Sequence, residues 1–170
     1  VKLELTLAEK ISALINDPDV NKHFKNQTKE NLTTWLHPLY AQDHQWIFER
    51  LSAIKAKPND SGKIVDEINN SFYQWQLPGT AGIRGTRGVG PNRINKFTVG
   101  RFTLAKAKFL NTRSFHTWAK TFDSDYDKNG PRAAAIARDP RIGADEIQMR
   151  AALLYLTTNA LKRVYVYPQP

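Results

Sequence analysis

The densest run of residues able to do chemistry in this 170-residue chain is Gly79-Thr80-Ala81-Gly82-Ile83-Arg84-Gly85-Thr86-Arg87-Gly88-Val89-Gly90-Pro91-Asn92-Arg93. Five glycines within twelve positions let the backbone turn tightly and bring several N–H groups to one anion. The forked guanidinium groups of Arg84 and Arg93 add charge-assisted bonds that suit phosphate oxygens. The chemistry such a loop offers is anion binding; composition alone leaves an ordinary surface loop equally open. It is not a P-loop, because no Gly-Lys-Ser/Thr follows. Nor is it a dinucleotide fingerprint, since Arg93 stands where the third glycine belongs and the run opens with Thr80 rather than directly into a helix.

Charge supports the anion reading. The net charge is +9, and its distribution is uneven: residues 1–78 carry nine Lys/Arg against ten Asp/Glu, residues 79–170 sixteen against six. From Gly79 to Arg113 there are eight basic residues (Arg84, Arg87, Arg93, Lys96, Arg101, Lys106, Lys108 and Arg113) and not one acid. Such a field attracts phosphates on small molecules, nucleic acid or an acidic surface, and charge does not choose among them. The absence of cysteine excludes disulfides, thiolate metal sites, iron–sulfur clusters and cysteine nucleophiles. With 41% hydrophobic residues and a mean hydropathy of −0.54, the composition is globular, and no apolar run reaches the roughly 18 residues of a membrane span. A chain free of membrane contact and of export signal, in the cytoplasm, is the expectation. The chain starts at Val1 without Met and stops at Pro168-Gln169-Pro170 directly after a strand-like run, which is expected of a chain cut at both ends.

Two groups of elements must position the loop. Upstream, Thr6 and Glu9 have capping-box spacing before Ile11, Leu14 and Ile15, and Asn16-Asp17-Pro18 stops that helix. A second helix surrounds Leu32, Trp35 and Leu36. Asp43 is expected to cap a third, with Trp46, Ile47, Leu51 and Ile54, and Ser61 opens a fourth with Ile64, Val65, Ile68 and Phe72 inward. The alternation Phe72-Tyr73-Gln74-Trp75-Gln76-Leu77 reads as a short strand entering the loop. Downstream, Thr98 to Asn111 reads as a helix exposing Arg101, Lys106 and Lys108, and Ser114 to Pro131 as a polar connection. Ala133 to Ala137 reads as a buried parallel strand, Asp139-Pro140-Arg141 as the loop after it, Asp145 to Leu161 as a helix, and Val164 to Tyr167 as the next strand. This order predicts an N-terminal helical segment, residues 1–74, and an α/β domain, residues 75–170. The domain would be three-layer α/β/α with a mixed, mostly parallel sheet, whose ligands sit beyond the strands' carboxyl ends.

The order of residues in the loop resembles a known family. Gly79-Thr80-Ala81-Gly82-Ile83-Arg84-Gly85 followed by Gly90-Pro91-Asn92-Arg93-Ile94-Asn95 and a helix is similar to the N-terminal signature of the alpha-D-phosphohexomutases, the phosphoglucomutase and phosphomannomutase superfamily. Ala81 resembles the branch with phosphopentomutase-like members. Trp35-Leu36, Asp43 and the aromatic cluster before the loop resemble that branch's leader. The strand ending in Arg138-Asp139-Pro140-Arg141 resembles the family's Asp-x-Arg loop, and Arg163 to Tyr167 the strand before its Pro-Thr-Pro segment. Residues 1–30 match no part of the family pattern.

The resemblance implies an isomerase of the intramolecular phosphotransferase type, a cytoplasmic phosphoprotein of carbohydrate metabolism. This chain would hold its leader and most of its first domain, truncated before the serine loop. The nucleophile, a phosphoserine in Thr-Ala-Ser-His-Asn-Pro, would lie beyond Pro170, so the 170 residues alone would be inactive. The implied cofactor is Mg2+, with ligands outside this chain, and a sugar bisphosphate is the implied activator and intermediate. The implied partners are a small sugar phosphate and the remaining domains of the same polypeptide, with no nucleic acid and no membrane. Arg84 would stabilise the phosphoserine or transferred phosphate, while Thr80, Ala81 and Gly82 would line the substrate side with it. Gly79, Gly85, Asn92, Arg93, Asp139 and Arg141 would brace the loops.

Other candidates are weaker. Asp123-Ser124-Asp125-Tyr126-Asp127-Lys128 mimics a magnesium loop, but it precedes the Ala133 strand. As an EF-hand it has Lys128 where Gly is required and Ala134 where Glu is required. His23, His37, His44 and His116 show no pairing at helical spacing, so no metal site is expected in this chain. A non-catalytic basic interaction domain or nucleic-acid-binding module is the alternative function. It lacks any helix-turn-helix, zinc-finger or RNA-recognition signature.

Overall fold

The computed structural model describes residues 4–78, 83–110, 112–122, 124–125, 127, 133–137 and 163–167. The chain divides into two units, Val1–Asn95 and Lys96–Pro170. In the first, five α-helices follow one another: α1 (Leu7–Ile15), α2 (Pro18–Asn21), α3 (Asn26–Thr34), α4 (Ala41–Ala56) and α5 (Gly62–Phe72), with short 3-10 turns at Pro38–Tyr40 and Pro58–Asp60. Thr6 and Glu9 close the expected capping box on α1: Oγ1 of Thr6 accepts from the Glu9 N–H, and the Glu9 carboxylate accepts from the Thr6 N–H at 2.7 Å. Asp17 then starts α2, its carboxylate accepting from the Asp19 N–H, with Pro18 at the first helical position.

Helix α1 packs on α4, and α5 packs on α3 and α4. Ile11, Ile15, Val20, Phe24, Leu32, Trp35, Ile47, Leu51, Ile54, Ile68 and Phe72 are all buried there, each large side chain contributing about 1.5–3 kcal/mol of transfer free energy. Trp35 is the centre. It is fully buried, stacks on Tyr40 at 4.0 Å between ring centroids, meets Phe72 edge-on at 6.0 Å and touches Trp75 at 5.7 Å. Its indole N–H donates to Asp43 Oδ2 at 2.9 Å, and its carbonyl accepts from His44 Nε2 at 3.0 Å. Asp43 therefore sits in the first turn of α4, where a carboxylate is favoured, rather than capping it; Tyr40 holds the cap position. Ser61 does hold the cap position of α5, but its hydroxyl bonds the Pro58 carbonyl instead of the helix.

One ion pair ties α4 to the turn before α2: Lys55 Nζ lies 2.8 Å from Asp17 Oδ2. The hydrogen bond from Lys55 holds the Asp17 carboxyl below its ordinary range, and the same bond holds the Lys55 ammonium above its own. A carboxyl with a depressed folded-state pKa stabilises the fold above its unfolded value, and that contribution fades as pH falls through the folded value. The raised lysine stabilises below its ordinary value and loses the contribution as pH rises through the elevated one. Asp17→Asn keeps the helix cap and removes the charge. Denaturation curves across pH should therefore show wild type losing its advantage over Asp17→Asn as acid protonates Asp17. An advantage that survives at pH 2 would contradict this assignment.

The second unit contains α6 (Lys96–Phe109), α7 (Arg113–Phe122), β1 (Ala133–Ala137) and β2 (Arg163–Tyr167). The two strands pair in parallel, Ala133 opposite Arg163 through Ala137 opposite Tyr167. Helix α6 exposes Arg101, Lys106 and Lys108 as expected and buries Thr98, Thr103 and Ala107.

The three-layer α/β/α fold with a mixed, mostly parallel sheet is overturned. The described residues are predominantly helical, and the sheet among them has two strands. Two strands are too narrow to carry helices over both faces as layers. The segment read as a strand from Phe72 to Leu77 is the end of α5 followed by irregular backbone. The period-two positions are Tyr73, Trp75 and Leu77, and they share no buried face: Trp75 packs on Trp35 while Tyr73 and Leu77 are exposed, and the Gln76 N–H goes to the Pro91 carbonyl instead of a ladder. The polar connection from Ser114 is instead α7, started by Thr112, whose hydroxyl accepts from the Phe115 N–H at 3.2 Å. Phe115, Trp118 and Phe122 recur at helical spacing within that polar sequence. Ile64 and Val65 are half-buried rather than inward. The expected helix from Asp145 to Leu161 lies outside the described residues. No helix among the described residues is long and apolar enough to cross a membrane.

Candidate functional site

Helix α5 ends with four carbonyls that need partners, and the glycine-rich loop supplies two of the bonds. The Asn69 carbonyl accepts from the Tyr73 N–H. The Asn70 carbonyl accepts from Asn92 Nδ2 at 2.8 Å, and the Ser71 carbonyl accepts from the Asn92 N–H at 3.0 Å. The Phe72 carbonyl accepts from Asn31 Nδ2 of α3, at 2.6 Å and buried. Asn92 thus caps a helix that ended twenty positions earlier, and the orphan acceptors of α5 become the anchor of the loop. Arg93 reinforces the joint, with Nε donating to Ser71 Oγ at 3.1 Å.

The loop also closes on itself. The Ile94 N–H donates to the Thr86 carbonyl at 2.9 Å and the Gly88 N–H to the Ile94 carbonyl at 3.3 Å, forming a short bridge beside Arg87. Asn95 Nδ2 reaches the carbonyls of Gly88 and Gly90 at 3.0 and 2.9 Å. Gln76 binds the other arm: its N–H donates to the Pro91 carbonyl at 2.7 Å, and its Nε2 donates to the Arg84 carbonyl at 2.7 Å.

Gly90 shows why this turn needs glycine. Its φ is +108°, and a Cβ there would lie 2.6 Å from the Ser71 carbonyl oxygen. The backbone conformation alone costs a side-chain-bearing residue about 1–3 kcal/mol, and the clash falls on backbone that cannot yield without losing the Asn92 bond. Gly90→Ala should lower the stability of the protein by at least that amount in urea denaturation; a loss below about 0.5 kcal/mol would contradict the geometry.

Arg84 stands at the exposed edge of this frame. Its carbonyl is held by Gln76, while its side chain is outside the ion pairs that join Lys22 to Asp19, Arg50 to Glu67 and Lys55 to Asp17. A guanidinium presented to solvent on a fixed backbone, in a stretch without acids, has the chemistry to pair with an anion. Arg87 is also exposed. Gly85 is exposed, and a Cβ on it would come within 2.9 Å of Gln76 Oε1.

The remaining expected site residues, Gly79, Thr80, Ala81, Gly82, Asp139 and Arg141, lie outside the described residues. The structure therefore brings Arg84, Gly85, Asn92 and Arg93 into one hydrogen-bonded frame. It adds Gln76, Asn70, Ser71 and Asn95, which sequence reasoning passed over. Gln76 sat inside the supposed strand, and Asn70 and Ser71 work through backbone carbonyls, which leave no mark on residue type. His44 and His37 serve local structure: Nε2 of His44 bonds the Trp35 carbonyl, and Nδ1 of His37 accepts from the Leu39 N–H. Among the described residues no group of three or more His, Asp or Glu could hold a metal ion. Of the Asp123–Lys128 run, Ser124, Asp125 and Asp127 are described and are exposed.

Comparison with known proteins relates part of the chain to one enzyme. A segment of 48 residues, 28% of this chain, is 46% identical to a phosphoglucomutase of Staphylococcus saprophyticus. The same length is 50% identical to phosphoglucomutases of two strains of Staphylococcus aureus. The matched segment spans 9% of the length of each of those relatives. No family model matches the chain, and no solved structure matches it. The chain thus contains a phosphoglucomutase-related region.

Proposed function

We propose that the chain is the N-terminal part of a phosphosugar mutase, with glucose phosphate the favoured substrate. The observation that carries this reading is the 46–50% identity to phosphoglucomutases over 48 residues. The loop frame supports it, because a phosphoryl-transfer site needs fixed donors and an available cation where phosphate charge is concentrated. In this scheme the phosphoryl group passes from a phosphoserine to the free hydroxyl of the sugar phosphate, whose proton leaves, giving a bisphosphate. The bisphosphate's other phosphate then returns to the serine, so that phosphate has moved between the 1- and 6- (or 5-) positions of the sugar.

Arg84 would pair with phosphate oxygens during both transfers. Thr80 and the backbone amides of Ala81 and Gly82 would face the same anion, while Gly85, Asn92 and Arg93 hold the frame. The remaining domains of the same polypeptide would bring the serine and the sugar-recognition loops. Mg2+, when bound, would supply charge neutralisation at the transferring phosphate. The described residues of this chain form no site for it.

The reading is tested by a coupled assay on the complete parent protein and on the 170-residue chain, both made in a host lacking its own phosphoglucomutase. The parent should interconvert glucose 1-phosphate and glucose 6-phosphate, and the 170-residue chain should show no turnover, since it has no Thr-Ala-Ser-His-Asn-Pro segment. A parent inactive on every hexose and pentose phosphate would overturn the proposal.

A further inference from the structure

We infer that Gln76 is a positioning residue for Arg84, a side-chain clasp that sets where the loop's free guanidinium stands. Three contacts of this one half-buried residue close the loop from opposite arms. Its backbone N–H donates to the Pro91 carbonyl at 2.7 Å, fixing it to the part of the loop anchored on α5. Its Nε2 donates to the Arg84 carbonyl at 2.7 Å and lies 3.4 Å from the Leu77 carbonyl. Its Oε1 fills the space over Gly85, where a Cβ would stand 2.9 Å away.

The chain of support therefore runs from the α5 carbonyls through Asn92 and Pro91 to Gln76, and from the Gln76 amide to the backbone of Arg84. Residues 84–86 are otherwise exposed. Without the amide the Arg84 carbonyl loses the one bond recorded for it. Gly85 carries no positive φ, so the space it leaves matters through the clasp: a Cβ there would meet Gln76 Oε1 at 2.9 Å, and the Gln76 amide would have to shift to make room.

This role rests on the mutase reading, and it concerns rate rather than folding. A displacement of a charge-pairing group by about 1 Å can cost on the order of a hundredfold in turnover, because the bond must be made to a phosphate whose position is set elsewhere.

The test compares kcat, KM and melting temperature of the parent protein with Gln76→Met, Gly85→Ala, Arg84→Ala and the double variant Gln76→Met/Arg84→Ala. Met keeps length and bulk without the donor, and Gly85→Ala displaces the amide without touching Gln76. Each should lower kcat roughly ten- to a hundredfold with KM little changed. In the Arg84→Ala background Gln76→Met should cost almost nothing more, since the group it positions is gone.

A kcat loss that is fully additive with Arg84→Ala, or unchanged kcat in both Gln76→Met and Gly85→Ala, would overturn the clasp while leaving the mutase reading intact. Absence of turnover in the unsubstituted parent would instead overturn the mutase reading and the catalytic role of Gln76 with it. Should Gln76→Met fail to fold, Gly85→Ala carries the comparison alone.

Discussion

Arg84→Ala in the parent protein is expected to lower kcat by roughly 10²–10³-fold with little change in KM, the size of effect seen when one positioned donor is removed from a charge-stabilising site. The backbone beneath Arg84 is tied to Gln76, and the guanidinium has no ion-pair partner among the described residues, so the side chain is available for an incoming anion. In the proposed phosphoryl transfer charge would accumulate as the group moves, so the loss should fall on the transition state more than on binding. Arg84→Lys keeps the charge and loses the fork, and should lie between wild type and alanine. Arg87→Ala, three positions on and outside the Gly-Thr-Ala-Gly-Ile-Arg-Gly segment, should be nearly silent. Equal activity of the Arg84→Ala and Arg87→Ala proteins at matched melting temperature would falsify the role given to Arg84.

Trp35→Ala should produce the largest loss of stability, about 3–5 kcal/mol in urea denaturation. The indole is fully buried, stacks on Tyr40, meets Phe72 and Trp75, and donates to the buried Asp43 carboxylate. Removing it leaves both a cavity and a buried carboxylate without its indole donor. Trp35→Phe restores part of the ring area and still leaves Asp43 short of that bond, which predicts an intermediate loss of about 1–3 kcal/mol. The consequence reaches the loop, since Phe72 packs on Trp35 and directly follows Asn70 and Ser71, whose carbonyls hold Asn92. A loss below about 1 kcal/mol for Trp35→Ala would mean that the aromatic cluster is not the centre of the helical unit.

Local signals were legible where a residue's own chemistry decides its structure. Thr6 with Glu9 marks a helix start, Asn16-Asp17-Pro18 its stop, and the apolar runs at Ala133–Ala137 and Val164–Tyr167 mark strands that do pair in parallel. Alternation misled at Phe72–Leu77 because Tyr73, Trp75 and Leu77 share a period of two without sharing a buried face: Trp75 packs on Trp35 while Tyr73 and Leu77 are exposed. Polarity misled at Arg113–Phe122, where Lys, Thr and Ser separate aromatics spaced for a helix. Those two misreadings, together with the extrapolation from two strands to a layered sheet, account for the overturned α/β/α expectation.

For the loop, residue types pointed to Arg84 and to the glycines. The frame that holds them was hidden, because its acceptors are the carbonyls of Asn70, Ser71 and Arg84, and a carbonyl is the same in every residue. The donors Gln76, Asn92, Arg93 and Asn95 are visible as residue types, but a polar side chain beside a glycine-rich turn has many equally good partners until the chain is folded.

The central claim is that the loop from Gly79 to Asn95 receives phosphate. Hydrogen-exchange mass spectrometry of the parent protein, with and without a hexose bisphosphate, tests it most directly. Peptides spanning residues 79–95 should exchange more slowly when the bisphosphate is present, with the effect abolished in Arg84→Ala and the α1–α4 peptides unchanged in both proteins. Unaltered exchange in the 79–95 peptides at a bisphosphate concentration that saturates turnover would contradict the claim.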